Sequence, residues 1–115
     1  MKNSVDRSNL ETLKEIIGDD LKEILFNFIK TSPEMIEQIK HALNTEDADA
    51  LRLHAHTLKG SSANIGAVKL PDLSFELERK GIDGVTKGLE DNLLNVETEL
   101  DNVNLFLQNY ISSAF

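Results

Sequence analysis

Residues 54–67 read His-Ala-His-Thr-Leu-Lys-Gly-Ser-Ser-Ala-Asn-Ile-Gly-Ala and hold the side chains best suited to chemistry. Histidine ordinarily offers a neutral, nucleophilic nitrogen near neutral pH. His56 is followed three residues later by Lys59 and then by Gly60. Residues three and four apart are neighbours on a helix, so Lys59 can bring its ammonium to an anion held at the His56 ring. Glycine costs about 1 kcal/mol against alanine inside a helix, and Gly60 removes a side chain that would shield the imidazole. Ala63 keeps the same strip low. An exposed imidazole, a bare strip of backbone and an adjacent cation suit a nucleophile that takes a phosphoryl group from another protein.

Whether His56 faces outward depends on the phase of its helix. At ~100° per residue, Leu51, Ala55, Leu58, Ser62 and Ile65 share an arc of roughly 80°, the predicted buried side. His56 lies roughly 140° from the centre of that arc, and Asp49, Arg52, Lys59, Gly60 and Ala63 share its outward half. His54 falls on the edge of the arc, so the two histidines are not equivalent. Residues two apart on a helix do not face together, and His41 belongs to another helix, so no converging set of metal ligands is expected. Leu53 falls outside the arc and, with Arg52, would give a partner apolar and cationic ground beside the histidine.

The elements that carry this helix follow from apolar residues recurring at threes and fours, with no sustained alternation in twos. A first helix is predicted from about Ser8 to Ile17, with Gly18 as its stop. A second starts at Asp19 or Asp20, with Leu21, Leu25, Phe28, Ile36, Ile39 and Leu43 as its stripe. Ser32-Pro33-Glu34 either caps a new helix or kinks this one; the unbroken apolar phase favours one long kinked helix of about 25 residues. Asn44 or Thr45 is the expected cap of the third helix, which runs to about Ile65. A short fourth carries Leu70, Leu73 and Leu77 and ends near Gly81. The fifth carries Leu89, Leu93, Val96, Leu100, Val103, Leu107 and Tyr110 in steps of four and three. Burying these stripes through short loops calls for an all-α fold, an antiparallel up-down-up-down four-helix bundle, with the extra short N-terminal helix across one end. Residues 1–115 are read as one domain, with residues 1–6 expected to fray.

Composition narrows the partners. The chain has 115 residues, 20 of them acidic and 12 basic, a net charge of −8, and no cysteine. That balance argues against phosphate-directed binding of nucleic acid and against attraction to an anionic membrane. Disulfides and cysteine zinc sites are excluded. No apolar run reaches the ~18–20 residues of a membrane span, and no secretory signal is evident, so a cytoplasmic protein is expected.

The run His56-x-Leu58-Lys59-Gly60-Ser61-Ser62, with Gly66 six residues after Gly60, resembles the signature of histidine-containing phosphotransfer (HPt) domains of bacterial and fungal phosphorelays. The leading Val5-Asp6, the proline-bearing second helix and the closing heptad helix also look like that family. The resemblance implies a four-helix bundle whose histidine shuttles phosphate between aspartates of receiver domains. His56 would be the phosphoacceptor through Nε2, Lys59 would neutralise the phosphate, and Gly60 with Ala63, Arg52 and Leu53 would meet the receiver. Ser61 and Ser62 would pack or hydrogen-bond within the bundle. Glu78, where the family often has glutamine, would orient the imidazole; the alternative is a solvated residue on an amphipathic helix. No nucleotide loop of the Gly-x-x-x-x-Gly-Lys type is present, so the domain would relay phosphate without an ATP-dependent kinase activity of its own.

No cofactor is expected in this chain, with Mg2+ on the partner receiver domain. The expected partners are receiver domains of a hybrid histidine kinase, a response regulator, or both, met by a monomer. The domain would be a free-standing carrier or, as its opening segment favours, the cytoplasmic C-terminal domain of a membrane-bound hybrid sensor kinase. The competing reading is a degenerate HPt-like bundle that binds a partner without transferring phosphate.

Overall fold

Five helices follow one another in the computed structural model, which describes residues 3–115: α1 (Arg7–Ile17), α2 (Asp20–Asn44), α3 (Ala48–Asn64), α4 (Leu70–Ile82) and α5 (Glu90–Ala114). Helices α2 to α5 each pack on their sequence neighbour, and α5 returns to α2, closing a four-helix bundle. The short connections make neighbouring helices antiparallel. No helix among the described residues is long and apolar enough to cross a membrane.

The predicted stripes form the core. Leu21, Leu25, Phe28, Ile36 and Ile39 of α2 meet Leu51, Ala55, Leu58 and Ile65 from α3 and its end, Leu70 and Leu77 of α4, and Val96, Leu100, Val103, Leu107 and Tyr110 of α5. Each fully buried leucine contributes about 1.5–3 kcal/mol of apolar burial. Leu13, Ile17, Leu43, Leu73 and Leu93 are only partly buried, at the margins of their stripes.

Helix α2 is continuous through Pro33, so Ser32 is not the cap of a new helix. Its side chain is buried, and its hydroxyl accepts a hydrogen bond from Asn104 of α5 at 3.1 Å. The cap of α3 is Asp47, whose carboxylate accepts from the Ala50 amide at 3.0 Å, rather than Asn44 or Thr45. Thr45 instead turns its hydroxyl back to the His41 carbonyl at 2.9 Å, finishing α2. Helix α1 starts one residue earlier than expected because Asp6 caps it, accepting from the Ser8 and Asn9 amides.

The opening segment does not fray over residues 4–6. Val5 is fully buried and bridges Ala67 just beyond α3. The Ser4 carbonyl accepts from the Val68 amide at 2.9 Å, and the Asp6 amide donates to Gly66 at 2.8 Å. Expected fraying at Met1 and Lys2 lies outside the described residues. Gly66 has φ +82, and an added Cβ would stand 2.7 Å from the Asn9 side chain, so this turn needs glycine. Lys14 donates to the Ala114 carbonyl at 2.6 Å, placing α1 at the end of the bundle where α5 finishes.

Gly81 lies within one residue of the end of α4 at Ile82, as expected. It lies buried inside the helix, where an added Cβ would stand 2.7 Å from the Arg52 amide nitrogen, 2.8 Å from the Ala48 carbonyl oxygen and 2.9 Å from the Arg52 Cα. That close approach of two backbones sets the spacing of α3 and α4, and across this seam the side chains around His56 meet.

Candidate functional site

Leu51, Ala55, Leu58 and Ser62 all face into the bundle, so α3 is held in one rotational setting. Ser62 adds a hydrogen bond from its hydroxyl to the Lys59 carbonyl at 3.1 Å. His56 is consequently turned outward, with 60% of its side chain exposed. Arg52, Leu53, Gly60 and Ala63 are exposed along the same helix. A Cβ on Gly60 would meet nothing within 4 Å, so packing does not demand this glycine. His54 is half-buried to one side, and His41 lies in the last turn of α2.

Glu78 of α4 faces His56 across the seam, one helical turn from Gly81. Its carboxylate bridges two groups of α3: Oε2 lies 2.9 Å from His56 Nδ1, and Oε1 lies 2.7 Å from Lys59 Nζ. Only 10% of the Glu78 side chain is exposed, so it is not a solvated residue of an amphipathic face. Burial pushes its carboxyl up, but the contacts from Lys59 and His56 outweigh burial and hold it below the ordinary glutamate value. An ionised carboxylate can only accept, so the Nδ1 contact fixes the ring proton on Nδ1 and leaves the lone pair on Nε2. No hydrogen bond engages Nε2 among the described residues.

Lys59 departs from the picture of a free cation beside the histidine. Its ammonium is engaged by Glu78 and also lies 4.8 Å from the centre of the Phe75 ring, close enough for a cation–π contact. Phe75 sits one turn before Glu78 on α4, is exposed, and has the Arg79 guanidinium 5.9 Å from its ring. Sequence reasoning misses Phe75 and Arg79. The signal for Phe75 is an aromatic residue off the Leu70-Leu73-Leu77 stripe and three residues before Glu78.

The structure therefore brings together His56, Lys59 and Glu78, with Phe75 beside them and the low strip of Gly60 and Ala63 along α3. The arrangement offers an oriented imidazole nitrogen to solvent, backed by a buried negative charge and a nearby positive one. That is chemistry for a nucleophile serving an electrophile carried by another molecule. Among the described residues, no group of three or more histidine, aspartate and glutamate side chains could hold a metal ion.

Comparison with known proteins bears on this site. The sequence profile described as Hpt domain matches residues 23–106. Multistep phosphorelay regulator 1 of Schizosaccharomyces pombe is 31% identical over 94 residues, covering 75% of this chain and 32% of that protein. The chain thus spans about a third of the length of this curated relative. The crystal structure of histidine-containing phosphotransfer protein B (HptB) from Pseudomonas aeruginosa PAO1 is similar with a TM-score of 0.91 and 29% identity, over 97% of each chain. The HPT domain from the Hpt sensor hybrid histidine kinase from Shewanella shares the fold, with a TM-score of 0.79 and 23% identity over 95% of this chain and 94% of that one.

Proposed function

This chain belongs to the Hpt domain family, and on that premise we propose that it is a phosphorelay carrier that accepts and passes on a phosphoryl group at His56. The observation that carries the reading is the His56 ring itself: exposed, fixed through Nδ1 to a buried carboxylate, and presenting Nε2. The donor is a receiver-domain aspartyl phosphate, and the acceptor is the aspartate of a second receiver. The Nε2 lone pair forms the N–P bond as the acyl O–P bond breaks, and the departing electron pair returns to the receiver's carboxylate. The transition state is loose, so positioning and charge supply most of this domain's share.

Lys59 neutralises the phosphoryl oxygens, Glu78 orients the ring, and Gly60 and Ala63 let the receiver's loops approach. Arg52 and Leu53 supply docking contacts. Mg2+ is held by the receiver, and no ATP is consumed by this domain. Receivers of a hybrid histidine kinase, a response regulator, or both, meet a monomer of this chain in the cytoplasm.

The test is transfer of labelled phosphoryl from a phosphorylated receiver into an acid-labile, base-stable bond. Wild type takes up label and His56→Gln takes up none. Label retained in His56→Gln, or none in wild type from any receiver, defeats the reading; binding without transfer would leave only an interaction module. Lys59→Ala folds normally but accepts the phosphoryl group more slowly, about tenfold or more if its charge acts in the transition state.

A further inference from the structure

We propose that Lys59 exchanges anionic partners during the transfer, so that Glu78 is left to balance the positive charge gained by the imidazole, and that this exchange biases the equilibrium towards the phosphohistidine. The inference rests on the phosphocarrier reading and deepens it.

At rest, one carboxylate serves two neighbours: Lys59 Nζ at 2.7 Å and His56 Nδ1 at 2.9 Å. In the nucleophilic form of the ring, with its Nε2 lone pair free, the imidazole is neutral, and the full charge in contact with Glu78 is that of Lys59. Transfer changes that count. The Nε2 lone pair forms the N–P bond, the acyl O–P bond breaks towards the receiver's aspartate, and the proton stays on Nδ1. The ring becomes a cation, and the attached phosphoryl group carries two negative charges. The Glu78 carboxylate then faces an imidazolium through a charge-assisted hydrogen bond, and Lys59 has a stronger anion within reach on its own helix, one turn away. Every charge has an opposite neighbour both before and after the transfer.

Two features favour such an exchange. Glu78 is shielded, so its pull on the ring charge is poorly screened, while His56 and Lys59 lie nearer solvent, where the phosphoryl group arrives. Lys59 is also held at rest by the Phe75 face at 4.8 Å, a contact it can leave without breaking the core. A glutamine at position 78 would still accept from Nδ1–H and orient the ring, but would carry no charge to offset the cation. Acid and amide therefore separate orientation from charge.

The experiment uses phosphoramidate as donor, with ammonia leaving, so that no cognate receiver is required. The ratio of phosphohistidine to histidine at fixed phosphoramidate and ammonia is followed by phosphorus NMR in wild type and Glu78→Gln. The amide variant is expected to lower that ratio about tenfold, the difference between a charge-assisted and a neutral hydrogen bond. Its unphosphorylated ring keeps the Nδ1–H tautomer by nitrogen NMR, which a merely disrupted site would lose. In wild type alone, the Lys59 ammonium nitrogen signal moves on phosphorylation. Equal ratios with the tautomer intact, or a Lys59 signal that stays put, overturn the exchange and leave the carrier reading standing. Wild type that accepts the group neither from phosphoramidate nor from any receiver defeats the carrier reading itself.

Discussion

Two lysine–glutamate pairs of nearly equal length mark two different regions of the bundle. Lys59 and Glu78 meet at 2.7 Å in the seam between α3 and α4, with side chains 30% and 10% exposed. Lys87 and Glu46 meet at 3.0 Å between the loops at one end of the bundle, 84% and 57% exposed. The second region also has an open groove of about 770 Å³ lined by Lys40, Leu43, Glu46, Lys87 and Leu93 among others. Small-molecule sites are concave, and this groove has that shape. The chemistry proposed for this chain lies instead on a projecting imidazole, 60% exposed. A group that serves another protein's phosphoryl must protrude, and what matters is the shielded charge behind it.

The largest effect should come from closing the seam's spacing. Gly81→Ala puts a Cβ within 2.7–2.9 Å of Arg52 and Ala48 backbone atoms, which cannot yield unless the helices part. Overpacking of this kind costs about 1–3 kcal/mol, more than the ~1 kcal/mol that alanine gains in helix propensity. The denaturation midpoint should fall, and phosphoryl uptake should slow as Glu78 withdraws from His56. An unchanged midpoint would mean that the seam is looser than its spacing implies.

Next in size is the acid dependence of the same seam. Glu78 is held below the ordinary glutamate value in the folded chain, so its contribution is fully present above the ordinary value and is lost as pH falls below it and through the lower value of the folded state. Stability should therefore drop on acidification below the ordinary glutamate value more steeply in wild type than in Glu78→Gln. Parallel pH curves would show that the shielded pair is no better held than the exposed one.

A smaller effect of opposite sign belongs to the other glycine of the site. Gly60→Ala meets no atom within 4 Å, so the bundle should gain about 0.4–1 kcal/mol from the lost freedom of the unfolded chain. Transfer from a phosphorylated receiver should nonetheless slow, because the added methyl stands in the approach. Stabilisation without slowing would remove Gly60 from the docking strip.

These two glycines also mark what the sequence discloses. The buried arc of α3 and the heptad stripe of α5 are legible because helical phase alone decides which residues face the core. The outward setting of His56 follows from that same phase. Gly81 marks the end of α4 to within one residue, but its packing role escapes, because its neighbours Ala48 and Arg52 lie on another helix. Val5 escapes for the same reason: its partner, Ala67, is remote in sequence. The Asp47 cap is lost among Asn44, Thr45 and Glu46, all acceptable at a helix boundary, and only the fold shows Thr45 closing α2. Within the site, Glu78 is legible by spacing, but its hold on Lys59 depends on side-chain reach across the seam, which a linear pattern does not encode.

The smallest effect, and the control for the comparison, is Lys87→Ala. The pair with Glu46 has good length, but both side chains move in water, where a lone ion pair gains little and salt screens it. The denaturation midpoint should stay within experimental scatter at both low and high salt, and phosphoryl uptake should match wild type. An unchanged midpoint beside the losses at Gly81 and Glu78 would attribute the difference between the two regions to burial rather than to ion-pair length. A slower uptake with an unchanged midpoint would carry the receiver's footprint beyond the α3–α4 seam to the loop end, and the docking surface would then have to be redrawn to include Lys87.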